Sequence, residues 1–236
     1  MKKKKQKRTE FKNYQEAIAF FEENHNEKKA EFDKIVINSP KLKYHGLDSA
    51  AMKEVKKHYS LLEGPLDYSF ELTSLILDSN IAKINDHQEL INYMLDFVYQ
   101  VDNWAHVDAI FTFKKVKKLK HEEFFPQIKH TRDSDLEFVA RFYYVAFIMY
   151  KARVELYDEF LAGIKDSEKY YVRMAIAWVI SEMFPQDNDK ILKYLYDAPL
   201  SKKTKMKTIQ KIKESRRTTE AQRERLEFLK VRIKIN

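Results

Sequence analysis

The stretch Val101-Asp102-Asn103-Trp104-Ala105-His106-Val107-Asp108 reads as part of a helix and holds one of only two tryptophans in the chain. Side chains four residues apart share a helix face, so the indole of Trp104 and the carboxylate of Asp108 are predicted to lie one turn apart. The second tryptophan, Trp178, lies in another apolar helical run at residues 171–180. We expect these two helices to pack near each other and to bring Trp104, Asp108 and Trp178 into one site.

The rest of the chain shows the same helical character. Roughly a dozen segments have apolar residues at helical spacing, and no segment reads convincingly as a strand. Capping-box spacing marks helix starts at Asp86, Ser134 and Thr219. Only 3 glycines and 5 prolines are present, which argues against all-β proteins and glycine-rich phosphate-binding folds. The fold class is therefore predicted to be all-α.

Several helix boundaries rest on one local signal each. The segment 27–36 is predicted to be a helix whose apolar side carries Phe32, Ile35 and Val36. Asp67 is predicted to start a helix after the break at residues 64–65. The signal at Ser134 is predicted to open a helix over 138–150, and the first tryptophan helix is predicted to run toward Lys114.

The predicted helices come in pairs about 30–40 residues apart, which is the interval of helical solenoid repeats. The pairs occupy residues 86–118, 121–150, 154–183 and 188–213. We therefore expect a curved superhelical array of repeats, whose inner surface would suit duplex DNA. One domain is predicted over 1–236, with residues 1–10 as a basic, flexible tail.

Composition narrows the classes of function. Cysteine is absent, which excludes disulfides and thiolate metal sites, and no Ser-His-Asp set, Walker motif or HExxH motif is present. No apolar run approaches the ~20 residues of a membrane span, and no signal peptide is evident, so a monomeric cytoplasmic protein is expected. The net charge of +8 suggests a polyanion such as nucleic acid, although many soluble proteins are also basic.

Three separated motifs carry a resemblance to a known family. Asp102-Asn103-Trp104 with Val107-Asp108, then a helix with Arg141, then Val172-Arg173 leading into residues 175–178, resemble the AlkD family of DNA glycosylases. These enzymes are built of HEAT-like helical repeats. The resemblance implies excision of positively charged N3- or N7-alkylpurines from duplex DNA. It also implies that the base is not extruded, unlike in most enzymes that act on bases.

The resemblance also implies roles for individual residues. Trp104 and Trp178 would pack on the deoxyribose and backbone around the lesion, Asp108 would be the catalytic carboxylate, and Arg141 would hold a phosphate. The chain departs from the pattern at Ser181, where many family members carry an arginine, and its N-terminal third matches loosely. The remaining predicted DNA contacts are basic residues, namely Lys114, Lys115, Lys117, Lys118, Arg173, Lys202, Lys203 and Lys205.

This set of residues suits one chemistry without a metal or organic cofactor. A cationic alkylpurine is already a good leaving group, so the group that needs stabilising is the oxocarbenium-like sugar. Each residue also has a plainer interpretation. Trp104 and Trp178 could be core residues, Asp108 could pair with a surface lysine, and His106 is not expected to be a ligand. A non-catalytic DNA-binding protein and a helical-repeat protein scaffold therefore stay open as alternatives.

Overall fold

The computed structural model describes residues 11–58 and 63–235, and over these residues the chain is all-α. Thirteen α-helices and four short 3-10 helices account for the regular structure of these ranges. They contain no β-strand, and the only bridge between extended residues there joins Lys43 and Ser69. The predicted fold class is confirmed. The predicted flexible tail at 1–10 lies outside the described residues.

The contacts divide the chain into two compact units, one ending at Lys118 and the other beginning at Leu119. The helices of the first unit are α1 (Tyr14–Glu23), α2 (Glu27–Ile37), α3 (Ser49–His58), α4 (Phe70–Lys83), α5 (His87–Gln100), α6 (Trp104–Ile110) and a 3-10 turn at Val116–Lys118. Whether both units form the single domain predicted from the sequence stays a prediction.

The second unit consists of seven α-helices and three 3-10 turns. The α-helices are α7 (His121–Ile128), α8 (Glu137–Ala146), α9 (Tyr157–Ala162), α10 (Tyr170–Met183), α11 (Asn188–Asp197), α12 (Lys202–Glu214) and α13 (Glu220–Ile235). The 3-10 turns are Lys129–Asp133, Phe147–Tyr150 and Val154–Leu156. No helix in the described part of the chain is long and apolar enough to cross a membrane.

The second unit has the packing order of a helical-repeat protein. Helix α10 packs against both α8 and α12, and α13 packs against α11 and α12. Ion pairs join residues one repeat apart, such as Arg153 with Glu122 at 2.9 Å and Lys190 with Asp158 at 2.8 Å. Helices two positions apart in sequence are therefore neighbours in space, as in stacked repeats.

Side-chain caps explain where several helices begin. The Asp86 carboxylate accepts a hydrogen bond from the Glu89 backbone N–H at 2.8 Å, at the start of α5. At α13 the capping box is complete, because Thr219 Oγ1 accepts from Gln222 N–H and Gln222 Oε1 accepts from Thr219 N–H. These caps satisfy backbone donors that have no partner within the helix. The predicted helix starts at Asp86 and Thr219 are confirmed.

The capping box predicted at Ser134 is wrong. Helix α8 begins at Glu137, and the preceding Leu136 offers no side-chain cap. Ser134 Oγ instead accepts from the Leu136 N–H at 3.1 Å. The Glu137 carboxylate accepts from the Tyr171 N–H at 2.6 Å, so it serves the first turn of α10 and not its own helix. The helix also stops at Ala146, short of the predicted 138–150, and continues as a 3-10 turn.

Two other boundaries differ from the prediction. Helix α4 begins at Phe70 because the Ser69 hydroxyl caps the Leu72 N–H, whereas Asp67 lies in the turn before it. Helix α6 ends at Ile110, so the lysines from Lys114 onward lie on a turn and a 3-10 helix and not on an extension of α6.

The apolar side predicted for α2 is also wrong. Phe32 and Ile35 are 63% and 72% exposed, whereas Ala30 and Ile37 on the opposite face are buried. The cause is a close approach of the chain at Gly46, which has a φ of +66°. A Cβ at Gly46 would clash with the Asn26 carbonyl oxygen and with the backbone of Ala30. The helix therefore packs through its small side, because only a glycine lets the two backbones come this close.

Candidate functional site

Trp104 and Asp108 share one short helix of the first unit, as predicted. Both side chains are half-buried and lie one turn apart on α6. The Trp104 indole N–H donates to the Val36 carbonyl oxygen at 3.1 Å, and its ring packs against a buried cluster at the end of α2. That cluster consists of Ala30, Ile37, Leu42 and Tyr44. Trp104 therefore joins α6 to α2 while part of the indole stays exposed.

The start of α6 is fixed by the two residues before it. The Asn103 side chain caps the helix by accepting from the His106 N–H at 3.0 Å. Asp102 is half-buried, and its carboxylate accepts from the Ser39 hydroxyl at 2.6 Å. The Tyr44 hydroxyl in turn donates to the Ser39 carbonyl oxygen at 3.0 Å. The loop after α2 thus holds the N-terminal end of α6.

His106 is buried on the side of α6 away from Asp108. Its Nε2 lies 3.0 Å from the Phe70 carbonyl oxygen and 3.1 Å from Ser74 Oγ, and its Nδ1 lies 2.9 Å from Asn103 Nδ2. Burial lowers the pKa of His106 to about 4, against weaker opposing effects from a backbone hydrogen bond and nearby carboxylates. The imidazole is therefore neutral at pH 7, and both ring nitrogens contact protein groups.

Sequence reasoning missed the roles of Asp102, Asn103 and His106. The signal was present in the sequence, because an Asx residue directly before an apolar helical run is the usual helix cap. Their partners Ser39 and Phe70 lie more than 30 residues away, so spacing could not reveal the contacts.

The second tryptophan and the candidate phosphate ligand lie together in the second unit. Trp178 is half-buried on α10, and Arg141 lies on the adjacent α8. Arg141 is only 5% exposed, and its Nη1 donates to the Tyr171 carbonyl oxygen at 2.8 Å. Ser181 donates from its hydroxyl to the Trp178 carbonyl oxygen at 2.7 Å, which turns this side chain back onto its own helix. The union of these residues with Trp104 and Asp108 in one site stays a prediction.

The first predicted lysine cluster divides into two kinds of residue. Lys114, Lys117 and Lys118 are exposed. The Lys115 ammonium instead donates to the carbonyl oxygens of Ala82 and Ile84 at 2.5 and 2.6 Å and to Asn85 Oδ1 at 3.1 Å. These oxygens lie at the C-terminal end of α4, where the helix dipole favours a cation. Lys115 therefore caps α4.

The second cluster places cations at an unfavourable position. Lys202 and Lys203 are exposed in the first turn of α12, which contains no acidic residue, although the helix dipole disfavours positive charge there. The Asp166 carboxylate compensates nearby by accepting from the Ser201 N–H and the Thr204 hydroxyl, both at 2.5 Å. Burial raises the pKa of Asp166, but these hydrogen bonds outweigh it and hold the pKa below its ordinary value.

The other two predicted DNA contacts are partly engaged within the protein. Lys205 donates to the Tyr196 carbonyl oxygen at 3.0 Å. Arg173 is half-buried, and its Nη1 lies 3.8 Å from the Glu168 carboxylate. The same carboxylate oxygen lies 3.8 Å from the Lys203 ammonium. Binding of a phosphate by Arg173 would therefore compete with Glu168.

Comparison with known proteins supports an enzyme of DNA repair. The family model described as "DNA alkylation repair enzyme" matches residues 17–217. That span covers most of the chain and includes all of α6, α8, α10 and α12. No curated protein is significantly similar to the chain.

Proposed function

Because the chain belongs to the family of DNA alkylation repair enzymes, we propose that it is a DNA glycosylase built of HEAT-like repeats. Its substrates are N3- and N7-alkylated, positively charged purines in duplex DNA, which it excises as a monomer without extruding the base. The observation that carries this proposal is α6, where the Asp108 carboxylate stands one turn from the half-buried indole of Trp104.

The chemistry follows from the charge of the substrate. An alkylated purine leaves as a neutral base when the glycosidic bond breaks, so no acid is needed to protonate it. Positive charge develops on the sugar, and the Asp108 carboxylate stabilises it and orients the attacking water. The faces of Trp104 and Trp178 add about 0.5–2 kcal/mol each through contact with the developing cation.

Phosphate binding is assigned to the exposed lysines. Each contact releases condensed counterions, so the affinity is sequence-independent and depends on salt. Arg141, which lies within the family match, is proposed to hold a phosphate beside the lesion. The residues proposed to neutralise phosphates are Lys114, Lys117, Lys118, Lys202 and Lys203.

A non-catalytic DNA-binding protein is the second candidate. The first turn of α12 favours it, because the exposed Lys202 and Lys203 place two cations side by side where a phosphate backbone could bind. This candidate requires the lysines but has no use for a carboxylate at Asp108, which would repel phosphates.

The experiment that separates the two candidates is the release of 7-methylguanine from methylated duplex DNA by excess protein in a single turnover. The control is the same DNA without protein, because 7-methylguanine also leaves spontaneously. A glycosylase raises the release rate by orders of magnitude over this control. If the protein shifts the duplex in a gel but leaves the release rate unchanged, it is a binding protein.

A further inference from the structure

We propose that His106 is a positioning residue, which ties α6 to α4 and thereby sets where Trp104 and Asp108 stand. This inference rests on the proposed function for its effect on excision. Its structural part concerns the position of α6 alone and can be tested without any substrate.

Helix α6 needs anchors from outside itself because it is short. It has only 7 residues, and isolated helices shorter than about 12–15 residues are marginal in water. Its position therefore depends on tertiary contacts. One anchor is the Trp104 indole N–H on Val36, and a second is Asp102 on Ser39. Both lead to the end of α2, so α4 requires a separate link.

His106 supplies that link to α4. Its Nε2 meets the Phe70 carbonyl oxygen and Ser74 Oγ, both in the first turns of α4. The Phe70 ring also stacks on the imidazole, with centroids 4.7 Å apart and planes inclined by 21°. Phe70 also stacks on Tyr44, with centroids 5.7 Å apart. The side chains of Tyr44, Phe70 and His106 thus form one aromatic column.

The two sides of α6 have different tasks. With about 100° per residue, the side chain of His106 points roughly opposite to those of Trp104 and Asp108. His106 therefore holds the helix from its buried side, opposite to the side that carries Trp104 and Asp108. A shift of α6 of about 1 Å would move both candidate catalytic groups together, and such a displacement can reduce a rate by about a hundredfold.

The hydrogen bonds fix the protonation state that this link requires. Asn103 Oδ1 accepts from the His106 N–H, so the Asn103 group facing Nδ1 is its NH₂ donor. Nδ1 must then be the acceptor, and the ring proton lies on Nε2, which donates toward Phe70. A second proton, on Nδ1, would place an N–H donor of the ring against the NH₂ donor of Asn103. The charged groups that act on the ring, Asp102 and Glu71, raise the pKa of His106, but by less than burial lowers it.

The test uses two substitutions of His106, one that removes all hydrogen bonds of the ring and one that restores a donor, together with one matched control. His106→Phe keeps the aromatic stack but removes every hydrogen bond of the ring. His106→Gln restores a donor at the place of Nε2, so it serves as the conservative rescue. His121→Gln is the control, because His121 is another buried histidine stacked on a phenylalanine, in the second unit. The substrate-free readout is acrylamide quenching of Trp104 fluorescence in a Trp178→Phe background.

We expect His106→Phe to raise the quenching of Trp104 at least twofold and to slow single-turnover excision about ten- to a hundredfold. Affinity for unmodified duplex should not change. His106→Gln should recover most of both losses, and His121→Gln should change neither. Unchanged quenching and excision in His106→Phe would overturn the proposal.

Two further outcomes are covered by the same design. If the parent protein releases no base, the proposed function fails, but the quenching data still decide whether His106 positions α6. If His106→Phe does not fold, quenching of Trp104 is followed from pH 7 to pH 4. A rise toward pH 4 in the parent that His106→Gln lacks supports the proposal, and identical profiles refute it.

Discussion

Acid should destabilise this protein through His106, and the size of the effect follows from its burial. The pKa of His106 is lowered to about 4 in the folded chain, against an ordinary value of 6.5. At pH values between these two pKa values, His106 is protonated in the unfolded chain but neutral in the folded chain. The free energy of unfolding therefore falls as the pH drops. From pH 7 to pH 4 this single group should remove about 3 kcal/mol.

The assay is urea unfolding of the parent and of His106→Gln at several pH values between 7 and 4. Carboxylates and the other histidines titrate in both proteins, so the difference between the two isolates His106. We expect the parent to be the more stable protein at pH 7 and to lose about 3 kcal/mol of that advantage by pH 4. An advantage that stays constant over this range would show that His106 is not held neutral in the folded state.

Four further predictions concern binding, stability and catalysis. Replacing three exposed lysines by alanine should weaken binding to unmodified duplex and flatten the slope of log affinity against log salt by as much as about 2.7; the lysines are Lys114, Lys117 and Lys118. Lys115→Ala should instead lower the unfolding free energy by about 0.3–1 kcal/mol, because it removes a helix cap. Gly46→Ala should lower the melting temperature strongly, since φ is +66° there, whereas Gly163→Ala, at a φ of −82°, should change it little. Arg141→Ala should reduce the excision rate more than it reduces affinity for unmodified duplex, and equal losses would argue against a phosphate contact beside the lesion.

The local signals in the sequence predicted helices well where the partner lay nearby. The caps at Asp86 and Thr219 act within three residues, so their geometry follows from sequence spacing. The same spacing failed at Ser134 because Glu137 is recruited by the Tyr171 N–H, 34 residues away. A capping box competes with tertiary partners that no local pattern reveals.

The buried side of α2 could not be predicted from the spacing of apolar residues within α2 itself. Phe32 and Ile35 suggested the buried side, but Gly46, in a different segment, lets the backbone approach the side that carries Ala30. In the candidate site, the shared face of Trp104 and Asp108 followed from helical spacing alone. The anchors of that helix did not, because Val36, Ser39 and Phe70 contact it through tertiary hydrogen bonds.

The most direct test of the proposed function is single-turnover release of 7-methylguanine by Asp108→Asn, compared with the parent and with Asp96→Asn. Asp96 is an exposed carboxylate on α5 of the same unit, so its substitution controls for the loss of one negative charge. We predict that Asp108→Asn loses about two to three orders of magnitude in rate. We also predict that it binds duplex at least as tightly as the parent, and that Asp96→Asn stays fully active. Excision by Asp108→Asn at the parental rate would contradict the assignment of this carboxylate to the chemistry.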